Sequence, residues 1–221
     1  MRLFTAVYPP ADASTHLDLA LGGVRASAEP EPGVRLRWIV PEQRHVTLAF
    51  HGRVPDGAVP GYVDSLREAL AQVEPFRLSL AGSGTFGGRT LWVGVRDGVP
   101  TLRRLTDVVT DVAAAEGVPA EDRVGGRPHL TVARASVQRG AVERRGGGRE
   151  RRRPTDASPF GSWARALAVY AGPRWQVGSV HVVASELGAG RSGGPAHSDV
   201  AVLPIGRDEP VDGSAPDGHI D

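Results

Sequence analysis

The chain predicts an α+β fold of two pseudo-symmetric lobes, each an antiparallel sheet with helices on its outer face, with a cleft between the sheets. Two observations lead there. Short apolar or alternating stretches and helix-periodic stretches succeed one another along most of the 221 residues. The pattern His-apolar-Thr-apolar-Ala also occurs twice, at residues 45–49 and 129–133.

Taken in order, residues 2–8 are short, apolar and closed by Pro9 and Pro10, as a strand would be. Ser14 or Thr15 is the expected cap of a helix running toward Ser27. Residues 37–40 and 45–51 read as extended segments. Behind Pro60, Val63, Leu66, Leu70 and Val73 recur at helical spacing until Pro75 stops them. Phe76, Leu78 and Leu80 alternate with polar residues, and a glycine-rich turn over 82–88 leads into residues 91–95, which makes a hairpin. Leu102, Leu105, Val109 and Val112 mark a helix that ends at Gly117. Residues 128–134 form a strand, 160–170 a helix, 175–185 a strand, and 201–205 close the last sheet. The expected organisation is one domain over 1–205, with an Arg/Gly-rich insertion at about 136–156, followed by a disordered acidic tail over 206–221.

Composition narrows the function classes. Hydrophobic residues at 40% and charged residues at 23% fit an ordinary folded protein. Cysteine is absent, which removes disulfide scaffolds, thiol nucleophiles and Cys-based metal sites. No apolar run approaches the 18 residues of a membrane span, and Pro9 and Pro10 interrupt the first strand before it forms a signal-peptide core. The expectation is a cytoplasmic protein that does not engage a membrane. Lys+Arg 26 against Asp+Glu 25 gives a formal charge of +1, so any preference for a polyanion has to come from a local patch. Every one of those cations is arginine, a usage that points to a GC-rich bacterial genome.

In a strand, residues two apart share a face. His45 and Thr47 therefore point one way and Val46 and Leu48 the other, and His129, Leu130, Thr131 and Val132 repeat the arrangement. If the two lobes pack about a pseudo-twofold, two imidazoles and two hydroxyls meet across one cleft. That set suits a phosphodiester. One imidazole takes a proton from the attacking oxygen, the other gives one to the leaving oxygen, and the hydroxyls bond the non-bridging oxygens. No metal or other cofactor is required, and two histidines without a third ligand make an incomplete zinc set.

These residues resemble the 2H phosphoesterases, named for two His-x-Thr-x motifs, and within them the bacterial RNA 2′,3′-cyclic phosphodiesterases, historically called 2′-5′ RNA ligases. The likeness extends over residues 2–7, over 34–42 leading to the first motif, over 45–52, over the hairpin segments 82–86 and 91–95, and over 127–134, with a weaker echo at 180–190. The resemblance implies that His45 is the proton donor, His129 the proton acceptor, and Thr47, Thr131 and Arg134 the groups that bind the phosphate. Spacing alone leaves open which histidine is acid and which is base. The implied reaction is water attack on an RNA-terminal 2′,3′-cyclic phosphate to leave a 2′-phosphate, with 2′-5′ RNA joining as a reverse-type activity. Implied partners are RNA ends or nucleotides bearing that group, and the chain is expected to act as a monomer. The alternatives are a phosphodiesterase on a small cyclic nucleotide phosphate such as ADP-ribose 1″,2″-cyclic phosphate, or a non-catalytic RNA-binding module.

Two positions depart from the family pattern. His51 stands where leucine is usual, and His197 stands near the tyrosine of a late G-x-x-Y segment, where it either acts on the substrate or decorates a loop. Strand parity puts His51 on the face of His45 but roughly 20 Å away, which makes it a surface histidine at the strand end. His181 is expected to face solvent or the cleft edge, and His16 and His219 have no partner pattern. The arginines of 143–153 are either an RNA-backbone contact or a solvated insertion. Trp38 and Trp92 either stack on a base or fill the core.

Overall fold

Pro9 and Pro10 place the first helix earlier than Ser14 or Thr15 would. Strand β1 (Arg2–Val7) runs into the two prolines, and helix α1 (Ala11–Ala26) begins directly behind them, with Ser14 N–H already bonded to Pro10 O at 3.0 Å. Both proposed caps therefore lie inside the helix. The computed structural model describes residues 1–26, 34–120, 127–137, 158–190 and 194–206. The Arg/Gly-rich stretch and the tail, with His219, lie outside them, except for Ser136 and Val137, which end a strand, and for Gly206.

The remaining elements are β2 (Val34–Trp38), β3 (Val46–Arg53), α2 (Val59–Leu70), β4 (Phe76–Phe86), β5 (Thr90–Val95), α3 (Val99–Ala115), β6 (His129–Val137), α4 (Gly161–Leu167), β7 (Ala171–Val177), β8 (Ser179–Glu186) and β9 (Ala196–Pro204). Among the described residues the strands run β7-β4-β5-β6-β3-β1-β8-β9, with β2 beside β6. Every pairing is antiparallel. Two four-stranded halves result, β7-β4-β5-β6 and β3-β1-β8-β9. The two motif strands are the seam between them, joined at one pair, Val46 with Leu130.

The glycine-rich turn is shorter than its composition implies, since β4 continues through Gly82 and Gly84 and the chain reverses only at Gly87 and Gly88. Both have φ in the left-handed region, where a side chain is strained. The strand expected at 175–185 is two strands, because pairing partners change at Gly178. Val177 pairs with Phe76 in one half, whereas Ser179 pairs with Pro204 in the other. Apolar alternation runs straight through such a switch.

One continuous core lies between the sheet and its helices. It takes Leu17 and Leu21 from α1, Leu66 and Leu70 from α2, Leu105 and Val109 from α3, and Trp163 and Leu167 from α4. Helices α2 and α3 pack together, α3 against β3 and α2 against β9, while α1 packs against β7 and α4, and α4 against β4. A separate small cluster, Phe4, Ala6 and Val183 with Tyr8 and Phe50, occupies the opposite face of the sheet. Strand β1 is thus buried on both sides, and its sequence is apolar almost throughout. No helix among the described residues is long and apolar enough to cross a membrane.

His51 is not a surface residue. It is 1% exposed, and Nδ1–H donates to Pro119 O at 2.9 Å while Nε2 meets Thr5 Oγ1 at 2.8 Å and Tyr62 Oη at 3.1 Å. The reason is a pair of irregularities in the β1–β3 ladder, between Leu3 and Phe4 and between Thr5 and Ala6. Each adds a residue to β3, Leu48 in one and His51 itself in the other, and the extra residue at Leu48 reverses the alternation between His45 and His51. His51 is thereby turned into the core, where it ties β1 and β3 to α2.

Two buried polar groups make this packing testable. Arg44, which precedes the first motif, is 2% exposed and its Nη1 lies 2.8 Å from Asp18 Oδ1, while Nε donates to Ile39 O at 2.9 Å. Replacing Asp18 with Asn strands a buried cation, and the unfolding free energy from urea titration is expected to fall by about 1–3 kcal/mol, less than for a fully buried pair because Asp18 is 40% exposed. Burial lowers the proton affinity of His51, against its bond to Pro119. Its network therefore stabilises fully above the unfolded-state pKa of about 6.5, and this contribution is lost as pH falls from there toward the lowered folded value. Urea midpoints at pH 7.5 and pH 5 are expected to lie closer together in His51→Leu than in the parent chain.

Candidate active site

After β2 the chain leaves the side of β6, makes a tight turn at Pro41–Gln43, and returns beside β6 at Val46. His45 stands at that return, and His129 is the first residue of β6. Val46 opposite Leu130 sets Thr131 across from His45 and His129 across from Thr47. Because Val46 and Leu130 are buried in the core, the four polar side chains share the other face. His45, Thr47, His129, Thr131 and Arg134 all line one cavity of about 790 Å³.

The two imidazoles are held alike. His45 Nδ1 is 2.8 Å from Gln43 O, and His129 Nδ1 is 3.0 Å from Arg127 O. A carbonyl only accepts, so Nδ1 carries the proton in both rings and Nε2 is left as the free nitrogen. Each ring also has an aromatic wall. His45 stacks on Phe4 at 4.7 Å between centroids, and His129 meets the Phe86 ring edge-on at 4.7 Å, with Phe86 in turn stacked on Trp92 at 5.3 Å.

Electrostatics favour the neutral form of both imidazoles. Burial, then repulsion from His197, Arg134 and His129, pushes His45 down to about 4, partly offset by the Gln43 bond. His129 is lowered by burial and by Arg134, against its bond to Arg127. Arg134 pairs in register with Arg37 of β2, and burial together with that neighbouring cation lowers its own proton affinity. Arg2, Arg37, Arg103, Arg127 and Arg134 line the cavity, and no Asp or Glu is among the described residues that do. A chain close to neutral overall thus concentrates one sign of charge in its cleft. No three or more His, Asp or Glu side chains among the described residues are arranged to hold a metal ion.

Sequence reasoning gave no role to Arg37, Phe86 and Arg127, although they lie in the family-like segments, missed Arg103, and left His197 undecided. His197 lines the cavity, with its ring 5.6 Å from that of His45. Trp92 is 7% exposed and belongs to the core, and Trp38 packs on Trp163 at 5.3 Å beneath the guanidinium of Arg25. Neither lines the cavity. His181 bonds Asp199 at 3.1 Å with its ring 4.8 Å from Tyr8, and His16 bonds Tyr170 at 3.2 Å, both away from the cavity lining.

The profile of the 2′-5′ RNA ligase superfamily matches residues 17–144, more than half of the chain. The RNA 2′,3′-cyclic phosphodiesterase of Geobacillus stearothermophilus is 38% identical over 101 residues, 44% of this chain and 32% of the relative. Its namesake in Thermus thermophilus is 32% identical over 143 residues, 61% of this chain and 68% of the relative. The matched stretch thus spans from about a third to two thirds of these relatives' own lengths. The crystal structure of Escherichia coli LigT in apo form superposes with a TM-score of 0.63 at 21% identity, covering 93% of this chain and 98% of that one, and so has the same fold. LigT has also been solved in complex with phosphate and with 3′-AMP. With the profile matched from within the first helix through both motif strands and the hairpin between them, the chain belongs to the 2′-5′ RNA ligase superfamily.

Proposed function

We propose that this chain hydrolyses RNA-terminal 2′,3′-cyclic phosphate to a 2′-phosphate by metal-independent acid–base catalysis, within a bilobal domain over residues 1–205. One observation carries the reading: two imidazoles from different lobes, in the same tautomer, line one cavity that holds arginines and no carboxylate among its described lining. In this reading His129 Nε2 takes a proton from the attacking water as its oxygen bonds phosphorus. The bond from phosphorus to O3′ breaks, and protonated His45 gives its proton to O3′. One proton is gained and one given, and exchange with solvent resets the pair. Thr47, Thr131 and Arg134 bind the non-bridging oxygens as charge collects there. The names of the relatives and the phosphate and 3′-AMP complexes of LigT support the same chemistry. Joining of 2′-5′ ends is the same displacement with a 5′-hydroxyl in the place of water: its oxygen bonds phosphorus, the bond to O3′ breaks, and His129 and His45 take and give the same protons.

Burial and the neighbouring cations keep His45 mostly unprotonated at neutral pH, so a bound phosphate has to raise it. A phosphodiester anion between the rings offsets the repulsion from Arg134 and raises both imidazoles. The closely placed Arg37 and Arg134 guanidinia likewise gain from an anion that bridges them. A cavity of about 790 Å³ with arginines spread along it favours an RNA end over a mononucleotide.

His45→Ala and His129→Ala are each expected to lower kcat on a 2′,3′-cyclic phosphate oligonucleotide by about 10²–10⁴-fold with the urea midpoint retained, and chelator is expected to leave wild-type turnover unchanged. Wild-type levels of turnover in either variant overturn the mechanism. The profile of kcat/KM against pH reports the free enzyme, where both imidazoles are lowered. Its optimum is therefore expected below about pH 6.5, with the kcat optimum displaced upward by the bound phosphate.

A further inference from the structure

His197 enters the cavity from β9, where it pairs with Ser185 of β8. Gln43 joins this strand to the first motif. Its backbone carbonyl accepts from His45 Nδ1–H, and its side-chain Nε2 donates to Pro195 O at 2.9 Å. Phe4 touches both imidazoles, which also meet each other edge to face. His45 stacks on its face, with planes 25° apart, and His197 meets its edge at 5.0 Å and 65°. The two imidazole centroids are 5.6 Å apart.

Packing alone does not account for an imidazole at this position. The Nδ1 atom of His197 is buried without a hydrogen-bond partner among the described residues. An apolar ring would fill the place beside Phe4 without leaving a polar atom desolvated. What an imidazole adds is charge that responds to a neighbour. The groups facing His45 are His197 from β9, His129 and Arg134 from β6, the Tyr8 ring at 5.4 Å from β1, and the carbonyl of Gln43. Burial and Asp199 hold the Tyr8 hydroxyl well above its ordinary range, so it stays neutral. After burial, His197 is the neighbour that most opposes a proton on His45, and it does so when itself protonated, which its own burial disfavours.

We propose that His197 is a third imidazole of this site, a positioning residue that restrains the His45 ring by direct contact and together with Phe4, and makes His45 the sharper proton donor. This rests on the reading of His45 as the donor to the leaving oxygen. An acid that releases its proton readily gives more assistance to an alkoxide leaving group, at the cost of a smaller protonated fraction in the free cavity. The bound phosphate restores that fraction in the complex, so the gain appears when substrate is present. His197 does not exchange a proton with the substrate. It sets how firmly His45 holds one.

The test is the titration of His45 by carbon-13 NMR of histidine-labelled full-length chain, in wild type and in His197→Phe, which keeps an aromatic ring beside Phe4 and removes the charge. The midpoint of His45 is expected to rise by about half a unit or more, with His129 moving less. On a 2′,3′-cyclic phosphate oligonucleotide, kcat is expected to fall several-fold with little change in KM, and the kcat/KM optimum to move to higher pH. His197→Gln, a smaller neutral replacement, serves as a second variant and is expected to move the His45 midpoint in the same direction. An unmoved midpoint in the folded variants overturns the inference, as does a loss of kcat that is uniform in pH and tracks a lowered urea midpoint. If the midpoint shifts but the wild-type chain turns over no cyclic phosphodiester, the proposed reaction fails while the coupling of the two rings stands.

Discussion

The site depends on one constraint, the carbonyl bond that fixes Nδ1–H in each motif histidine. Gln43 O and Arg127 O each lie two residues before the ring they hold. In both lobes a carbonyl of the approach to the motif reaches the imidazole. The free Nε2 is a consequence of that bond, as is the shared tautomer. Without those bonds each ring has two rotamers and two tautomers to choose from. With them, side chains that are 84 positions apart in sequence, 45 and 129, present the same nitrogen to the same cavity.

The seam between the half-sheets serves the same end. A single pair, Val46 with Leu130, brings the motif strands into contact. On one side of that pair β2 takes over the edge of β6, and on the other β6 begins at His129 while β3 runs on beside β1. The core is continuous beneath this seam, so the halves are held by their buried helix face while their polar face stays open.

Charge is arranged on a different scale from composition. A formal charge of +1 predicts no attraction for polyanions, and the folded chain nevertheless turns five arginines and three histidines into one cleft without a carboxylate among its described lining. A concave, partly desolvated surface focuses such a field far more than an open one does. The same field suppresses protonation of the imidazoles it surrounds. Affinity for the anion and readiness of the acid are therefore linked, and the substrate's own charge is the term that balances them.

Much of this was legible in the residues. Alternation in 45–49 and 129–133 dictates which side chains share a face, because a strand has a period of two, and the repeat of the pattern implies two copies of one polar surface. Helix periodicity located α2 and α3 to within a few residues. Parity failed at His51, where extra residues in β3 reverse the faces, and alternation did not register the change of partners at Gly178. Arg37 and Phe86 lay in family-like segments without a role and His197 was noted without one, since what makes them part of the site is the company they keep across strands. Local periodicity is a property of the backbone and is written in neighbouring residues. The meeting of distant strands at one pair, the ring that Phe4 shares and the sign of the field in the cleft are sums over contacts between remote segments, and only the folded chain decides them.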